Sequence, residues 1–215
     1  AKLTKTNLEM FTLSANTTTW TAGSALNIKW GLSTNWDNGV PTSEMEVIIP
    51  NLSPSSDYPI IPFGISGVAG NITIASGASL NIEAGASITV NGRITNNGTL
   101  TIESDASSNG SLITGDFDTS TTGTNTIQSY LQTTEWHLIG IPVTEMTVND
   151  FHTENTIEDN GTDIGLAIYN NDYSGSTGWD YFSNSISSSI KMRPHFGYSV
   201  NLDDTAGDRN ITYNG

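Results

Sequence analysis

Between residues 71 and 102 the apolar positions fall in i, i+2 pairs, Ile72/Ile74, Leu80/Ile82, Ile88/Val90 and Leu100/Ile102, and a Gly or Asn turn closes each pair. Residues 71–79 and 80–87 almost repeat one phrase, which then shortens. Alternation over three or four residues predicts very short strands. Strands of this length bury too little alone and are stable only when stacked, which is the logic of a β-solenoid. The pattern therefore predicts a short right-handed parallel solenoid of about two to three coils. Its interior is expected to hold these eight side chains together with Ile94.

Upstream, Trp20, Trp30 and Trp36 crowd the approach to the apolar run 47–49. Large aromatics at the open end of a solenoid can cover side chains and strand edges that would otherwise face water. Pro50, Pro54, Pro59 and Pro62 mark a stiff, turn-rich connection, with a short strand expected around Tyr58 to Ile61. Downstream, residues 115–126 are almost devoid of aliphatic side chains and read as a linker. Beyond it, apolar runs at 127–131, 136–143, 166–169, 179–182, 196–202 and 211–213 are separated by Asn, Asp, Gly and Ser clusters, the pattern of an antiparallel β-sandwich. Phe196, Tyr198, Val200 and Leu202 alternate and are expected to share its inward face. One brief helix is predicted near 147–152, with Thr147 as N-cap. The fold class is thus all-β: cap and solenoid over 1–114, linker over 115–126, and a sandwich-like domain over 127–215. Asn214-Gly215 is a strong hairpin signal, so a partner strand for 211–213 is expected from downstream sequence.

Composition narrows the function. The 215 residues include 22 Asp and Glu against 7 Lys and Arg, a net charge of −15. Nucleic-acid affinity rests on cations that neutralise phosphates, so a nucleic-acid partner is excluded, and an anionic membrane surface is disfavoured for the same reason. Charged residues are nevertheless only 13% of the chain, polarity being carried by Ser, Thr, Asn and Gly. With 5 Trp, 7 Tyr and 6 Phe, the chain is no disordered acidic tail. It has no cysteine, hence no disulfide or thiolate chemistry. No apolar run is long enough for a membrane-spanning helix, so membrane insertion is not expected.

The run from Asn35-Trp36 to Pro41-Thr42, the strand Val47 to Pro50, the coils ending in Leu100-Thr-Ile-Glu103, and Trp136-His137 through Pro142-Val143, followed by Gly197-Tyr198, form a recurring set of phrases. Together they resemble modules of the large secreted and cell-surface proteins of Bacteroidota that leave by type IX secretion. The resemblance covers nearly the whole chain. It implies an extracellular or outer-surface location and a place beside further modules of the same polypeptide or other subunits. It names no activity, since such modules accompany adhesins and hydrolases alike. Those proteins usually end in a sorting domain, which these residues do not contain, so the chain is expected to be a piece of something longer.

Candidate chemistry is sparse. A hydrolase or lyase on a solenoid needs paired carboxylates or a basic residue along one wall. The coils offer Glu83, Glu103 and Arg93, which solvated side chains explain equally well. His137, His152 and His195 match no ligand spacing, and no nucleophile elbow is present; no catalytic residue is assigned. Calcium suits the acidic Gly turns better than zinc. The candidate ligands are Asp159, Asp163, Asp203 and Asp208, with Asp116 and Asp118 as a further pair, although turn-forming Asp explains all of them without metal. Thr73, Thr89, Thr95 and Thr101 suggest an ice-binding ladder that Asn81 and uneven spacing interrupt. The sharpest idea is sugar binding. Trp179 and Tyr181, at i and i+2, share one sheet face where rings can stack on sugar C–H surfaces, with Asp180 and Tyr173 nearby. The same spacing also suits an inward-facing sandwich strand. The function expected is non-catalytic display or adhesion. Its alternatives are a carbohydrate-binding accessory module and a polysaccharide lyase or hydrolase.

Overall fold

The computed structural model describes residues 16–24, 27–55, 57–170, 178–185, 190–194, 196–207 and 209–215. The chain is nearly all β and contains a parallel solenoid of about three turns followed by a separate antiparallel sheet. The solenoid strands are β1 (Thr17–Thr19), β2 (Glu46–Ile49), β3 (Ile60–Ile61), β4 (Ser66–Ala69), β5 (Asn71–Ile74), β6 (Ser79–Ile82), β7 (Ser87–Asn96), β8 (Thr99–Ile102), β9 (Ser111–Phe117) and β10 (Thr124–Tyr130). They stack as three walls. The first half of β7 lies between β4 and β9, and its second half pairs with β5, which continues through β2 to β1. The third wall is β3, β6, β8 and β10.

β7 serves two walls because it turns a corner at Gly92. A Cβ there would sit 2.2 Å from Asn71 Oδ1 and 2.9 Å from the Gly70 carbonyl, so only glycine lets the corner close against the coil above. Inside, like stacks on like. Val47, Ile72 and Ile94 form one file, Ile61, Ile82 and Ile102 another, and Leu80 lies over Leu100. All nine expected interior side chains are buried. Thr18 and Asn96 are polar exceptions at 0% exposure, and both are satisfied: Thr18 Oγ1 donates to Gly39 O, Asn96 Nδ2 donates to Thr124 O and Asn125 Oδ1, and Asn96 Oδ1 accepts from Gly98 N.

The three tryptophans pack on the first coil. Trp36 meets Trp20 and Trp30 edge-on at 5.0 and 4.9 Å between ring centroids, and all three belong to the solenoid core. Each of two indoles has a carbonyl to donate to, Trp20 to Asp57 and Trp36 to Trp30, so their burial leaves neither N–H orphaned.

The second half comprises β11 (His137–Gly140), α1 (Val148–Glu154), β12 (Asp163–Tyr169), β13 (Trp179–Ser183), β14 (Gly197–Val200) and β15 (Asn210–Asn214). β11, β14, β12 and β13, in that order, make one antiparallel sheet. The helix carries a capping box: Thr147 Oγ1 accepts from Asp150 N, and the Asp150 carboxylate accepts from Thr147 N.

Three expectations change. Residues 115–126 begin and end in strand, because β9 and β10 form the last coil. The run 127–131 therefore belongs mainly to the solenoid and is not a sandwich strand. β15 has a neighbour upstream as well, since it pairs antiparallel with β10 and extends the third wall as its edge strand. Its other edge is met by the Asn155 side chain, which accepts from Thr212 N and donates to Thr212 O. The second core thus forms between the inner face of the four-stranded sheet, α1, and Ile211 and Tyr213 of β15. Phe196, expected inside, is 42% exposed beneath the Arg193 guanidinium, because the chain has only entered β14 one residue later.

Candidate functional site

In the antiparallel sheet one set of alternating positions builds the core. Ile139, Tyr198, Val200, Leu166 and Ile164 are buried, with Ile168 and Phe182 packed against them. The other set faces away. Strand register lines up Leu138, Ser199, Ala167 and Tyr181 straight across all four strands. Small residues occupy the middle, and large ones the edges. On one side of this row, Gly140 pairs with Gly197, where a Cβ would meet nothing within 4 Å, and Tyr169 pairs with Trp179. On the other side lie Gly165, Asn201 and Trp136.

The result is a trough with a floor of Gly, Ala and Ser and rims of rings. Leu138 is 78% exposed, Tyr169 54%, Tyr181 49% and Trp136 44%. Trp136, from the edge of β11, reaches Tyr181 on β13 at 5.7 Å between ring centroids and 71° between planes. Tyr169 and Trp179 repeat the edge-on contact at 5.3 Å. Such contacts fix the rings while leaving ring face open to solvent. The Trp136/Tyr181 bridge divides the trough in two. One depression of about 300 Å³ lies over Leu138, Ala167 and Trp179, and a second of about 320 Å³ carries the polar and acidic side chains Glu158, Asn160, Asp163 and Asn201.

Of the four sugar-binding candidates, Trp179 and Tyr181 share this outer face and do not form the inward face of a sandwich. Asp180 lies opposite Ile168 on the other face, where its carboxylate accepts from Asn170 Nδ2 at 3.0 Å. Tyr173 lies outside the described residues, as do His195 and Asp208. Trp136 and Leu138 join this face without any local ring-and-carboxylate motif in the sequence. Their signal was the alternation itself: Trp136 and Leu138 flank His137 at i, i+2, and small Gly165, Ala167, Gly197 and Ser199 alternate with large neighbours.

The acidic candidates serve turns. Asp159 accepts from Gly161 N and from Asn184 Nδ2 at 2.9 and 2.8 Å, with His152 Nε2 3.8 Å away. Asp203 accepts from Thr205 Oγ1 and Thr205 N, and these bonds hold its pKa below the ordinary carboxylate value. Asp163 lines the polar depression. Among the described residues no three His, Cys, Asp or Glu side chains come together as a metal cluster. Asp116 is paired with Arg93 at 2.7 Å, and Asp118 is held low chiefly by its bond from Ser120. Glu83 and Glu103 follow stacked Ile82 and Ile102, one coil apart. Glu83 accepts from Phe63 N and Glu103 from Asn81 Nδ2. Nε2 of His137 lies 3.0 Å from the Thr133 carbonyl. The four threonines fall on three walls, with Thr73 beside Thr95, and Thr89 and Thr101 on the others, so they make no single flat face.

The chain matches a family model described as a domain of unknown function, DUF8693, over residues 19–215. The chain belongs to the DUF8693 family. The DUF8693 match runs through solenoid, last coil and antiparallel sheet without interruption, so the family unit includes both cores. No match is found among the curated proteins or the solved structures.

Proposed function

We propose that this chain is a non-catalytic module of a large secreted or surface-anchored bacterial protein, and that it adheres to polysaccharide through the outer face of its antiparallel sheet. The observation that carries the reading is the set of exposed rings, Trp136, Tyr169 and Tyr181, beside half-buried Trp179 over a floor of small residues. Exposed aromatics in contiguous patches mark binding surfaces, because their burial on contact is favourable and they lose little entropy on ordering. Rings with adjacent amide and carboxylate groups suit a pyranose, which offers a C–H face for stacking and hydroxyls around its edge. An elongated trough suits a chain of sugars better than one sugar.

Catalysis is outside the proposal. Arg93 is occupied by Asp116, and Glu83 and Glu103 by the hydrogen bonds already described. The solenoid serves as spacer and platform. The test is co-sedimentation with insoluble plant and algal polysaccharides and titration with their soluble oligomers, using wild type, Trp136→Ala and Tyr181→Ala. Binding by wild type that weakens about tenfold or more in either variant supports the reading. Absence of binding across the panel, or binding indifferent to both substitutions, overturns it in favour of pure display.

A further inference from the structure

The two halves of the trough differ in the side chains that line them, and the half that carries carboxylates points to a ligand class. Trp136 and Tyr181 wall it, Gly165 and Asn201 floor it, and Glu158 and Asp163 stand at its rim. The rim is rigidly mounted. Glu158 N donates to Asn201 O at 3.0 Å, and Gly165 N donates to Glu158 O at 2.6 Å. Gly165 allows this close crossing, since a Cβ there would lie 2.5 Å from Asn201 O and 3.0 Å from Glu158 Cβ. Asp163 N donates to Asn160 Oδ1 at 2.9 Å, and Asn160 N returns a bond to Asp163 O.

Neither the Glu158 nor the Asp163 carboxylate has a hydrogen-bonding or ion-pair partner among the described residues. Among the described residues no Lys, Arg or His lines either depression. The open ring faces add a second, independent preference of the same sign: an ammonium is drawn to the face of Trp and Tyr as well as to carboxylate. The chain's net charge of −15 repels uronate and sulfate sugars from the whole surface.

Resting on the carbohydrate reading above, we infer that the Trp136/Tyr181 depression selects glycans bearing free, protonated amino groups over neutral and anionic ones. The sugar ring packs on the aromatic wall, and its ammonium donates to Glu158 and Asp163.

The experiment is calorimetric titration of the whole chain with oligomers of glucosamine, N-acetylglucosamine and glucose of one linkage and length, and with a uronic-acid oligomer. The proteins are wild type, Trp136→Ala, and the double variant Glu158→Gln/Asp163→Asn, each checked for unchanged thermal unfolding. The glucosamine oligomer is expected to bind about tenfold more tightly than the acetylated and glucose oligomers, and the uronate most weakly. The advantage is expected to vanish in the double variant and to shrink with added salt. Equal or tighter binding of the neutral oligomers, or an amine preference that survives the double variant, overturns the inference. If neutral oligomers still bind and Trp136→Ala weakens them, the carbohydrate reading stands and only the amine selectivity falls. If no oligomer binds, or Trp136→Ala changes nothing, both fall together.

Discussion

The solenoid and the antiparallel sheet bury their inner faces in the same way and dress their outer faces differently. In the coils, outward positions carry mostly short polar side chains, such as Ser66, Ser87 and Ser111 in one file and Thr73 and Thr95 in another, with Val68 and Ile113 as exposed apolar exceptions. In the sheet, the equivalent positions carry Trp136, Leu138, Tyr169, Trp179 and Tyr181. Large apolar groups facing water gain nothing for the isolated fold, whereas the Ser and Thr of the coils keep a flat surface wet. The contrast teaches where to look for binding: on the face whose residues the fold does not need.

The strongest way to break this comparison is to show that inner residues are dispensable. Trp20→Ala is expected to cost about 3 to 5 kcal/mol and Ile82→Ala about 2 to 5 kcal/mol, measured by denaturant unfolding. A cost near zero at Ile82 would mean that the stacked files are not the source of stability.

Tyr213 tests whether the two cores are one unit, since it sits on β15, which pairs with the solenoid and packs into the second core. Burial pushes its phenol from 10 up to about 12. The unfolded chain therefore loses this proton first as pH rises. The neutral phenol's stabilisation is complete below pH 10 and is lost by pH 12, roughly 2 to 3 kcal/mol. Unfolding of wild type and Tyr213→Phe across that window checks it. The variant is expected to lack this increment of alkaline loss.

The outer face sharpens the comparison from the other side. Tyr181→Ala is expected to leave stability within about 0.5 kcal/mol while removing about 1.4 kcal/mol of glycan affinity. A large stability loss with unchanged binding would make the ring structural. The smallest effect is expected at Thr147→Ala, about 1 kcal/mol from the lost cap, read as a modest fall in the unfolding midpoint.

Much of this fold was written in local pattern. The interior of the coils followed from i, i+2 pairs between Gly and Asn turns, and the helix start from Thr147. Period alone could not tell which sheet a strand joins. Residues 124–130 alternate like any strand, and only register with β8 and β15 places them on the solenoid. The same limit applied to Trp179 and Tyr181. Alternation puts them on one face, but whether that face is wet depends on Phe182 and Ile168 packing inward from the other. Asp180 was assigned to the rings by adjacency in sequence, and the pleat sends adjacent residues to opposite faces. Trp136 belongs to the ring set only through Tyr181, 45 residues away, a contact made by folding across two intervening strands.

The parallel stacking of the coils has an architectural consequence. From β2 to β10 each coil enters and leaves at the same place on the wall and consumes 20 to 25 residues, as the pairings Leu80 with Leu100 and Val47 with Ile72 mark out. A duplicated coil would slot between its neighbours and move the tryptophan end away from the aromatic trough by one inter-strand step of about 4.8 Å, without altering either end. The scaffold is a ruler with a fixed graduation, and the reach of the trough from whatever holds the other end can be set by counting coils.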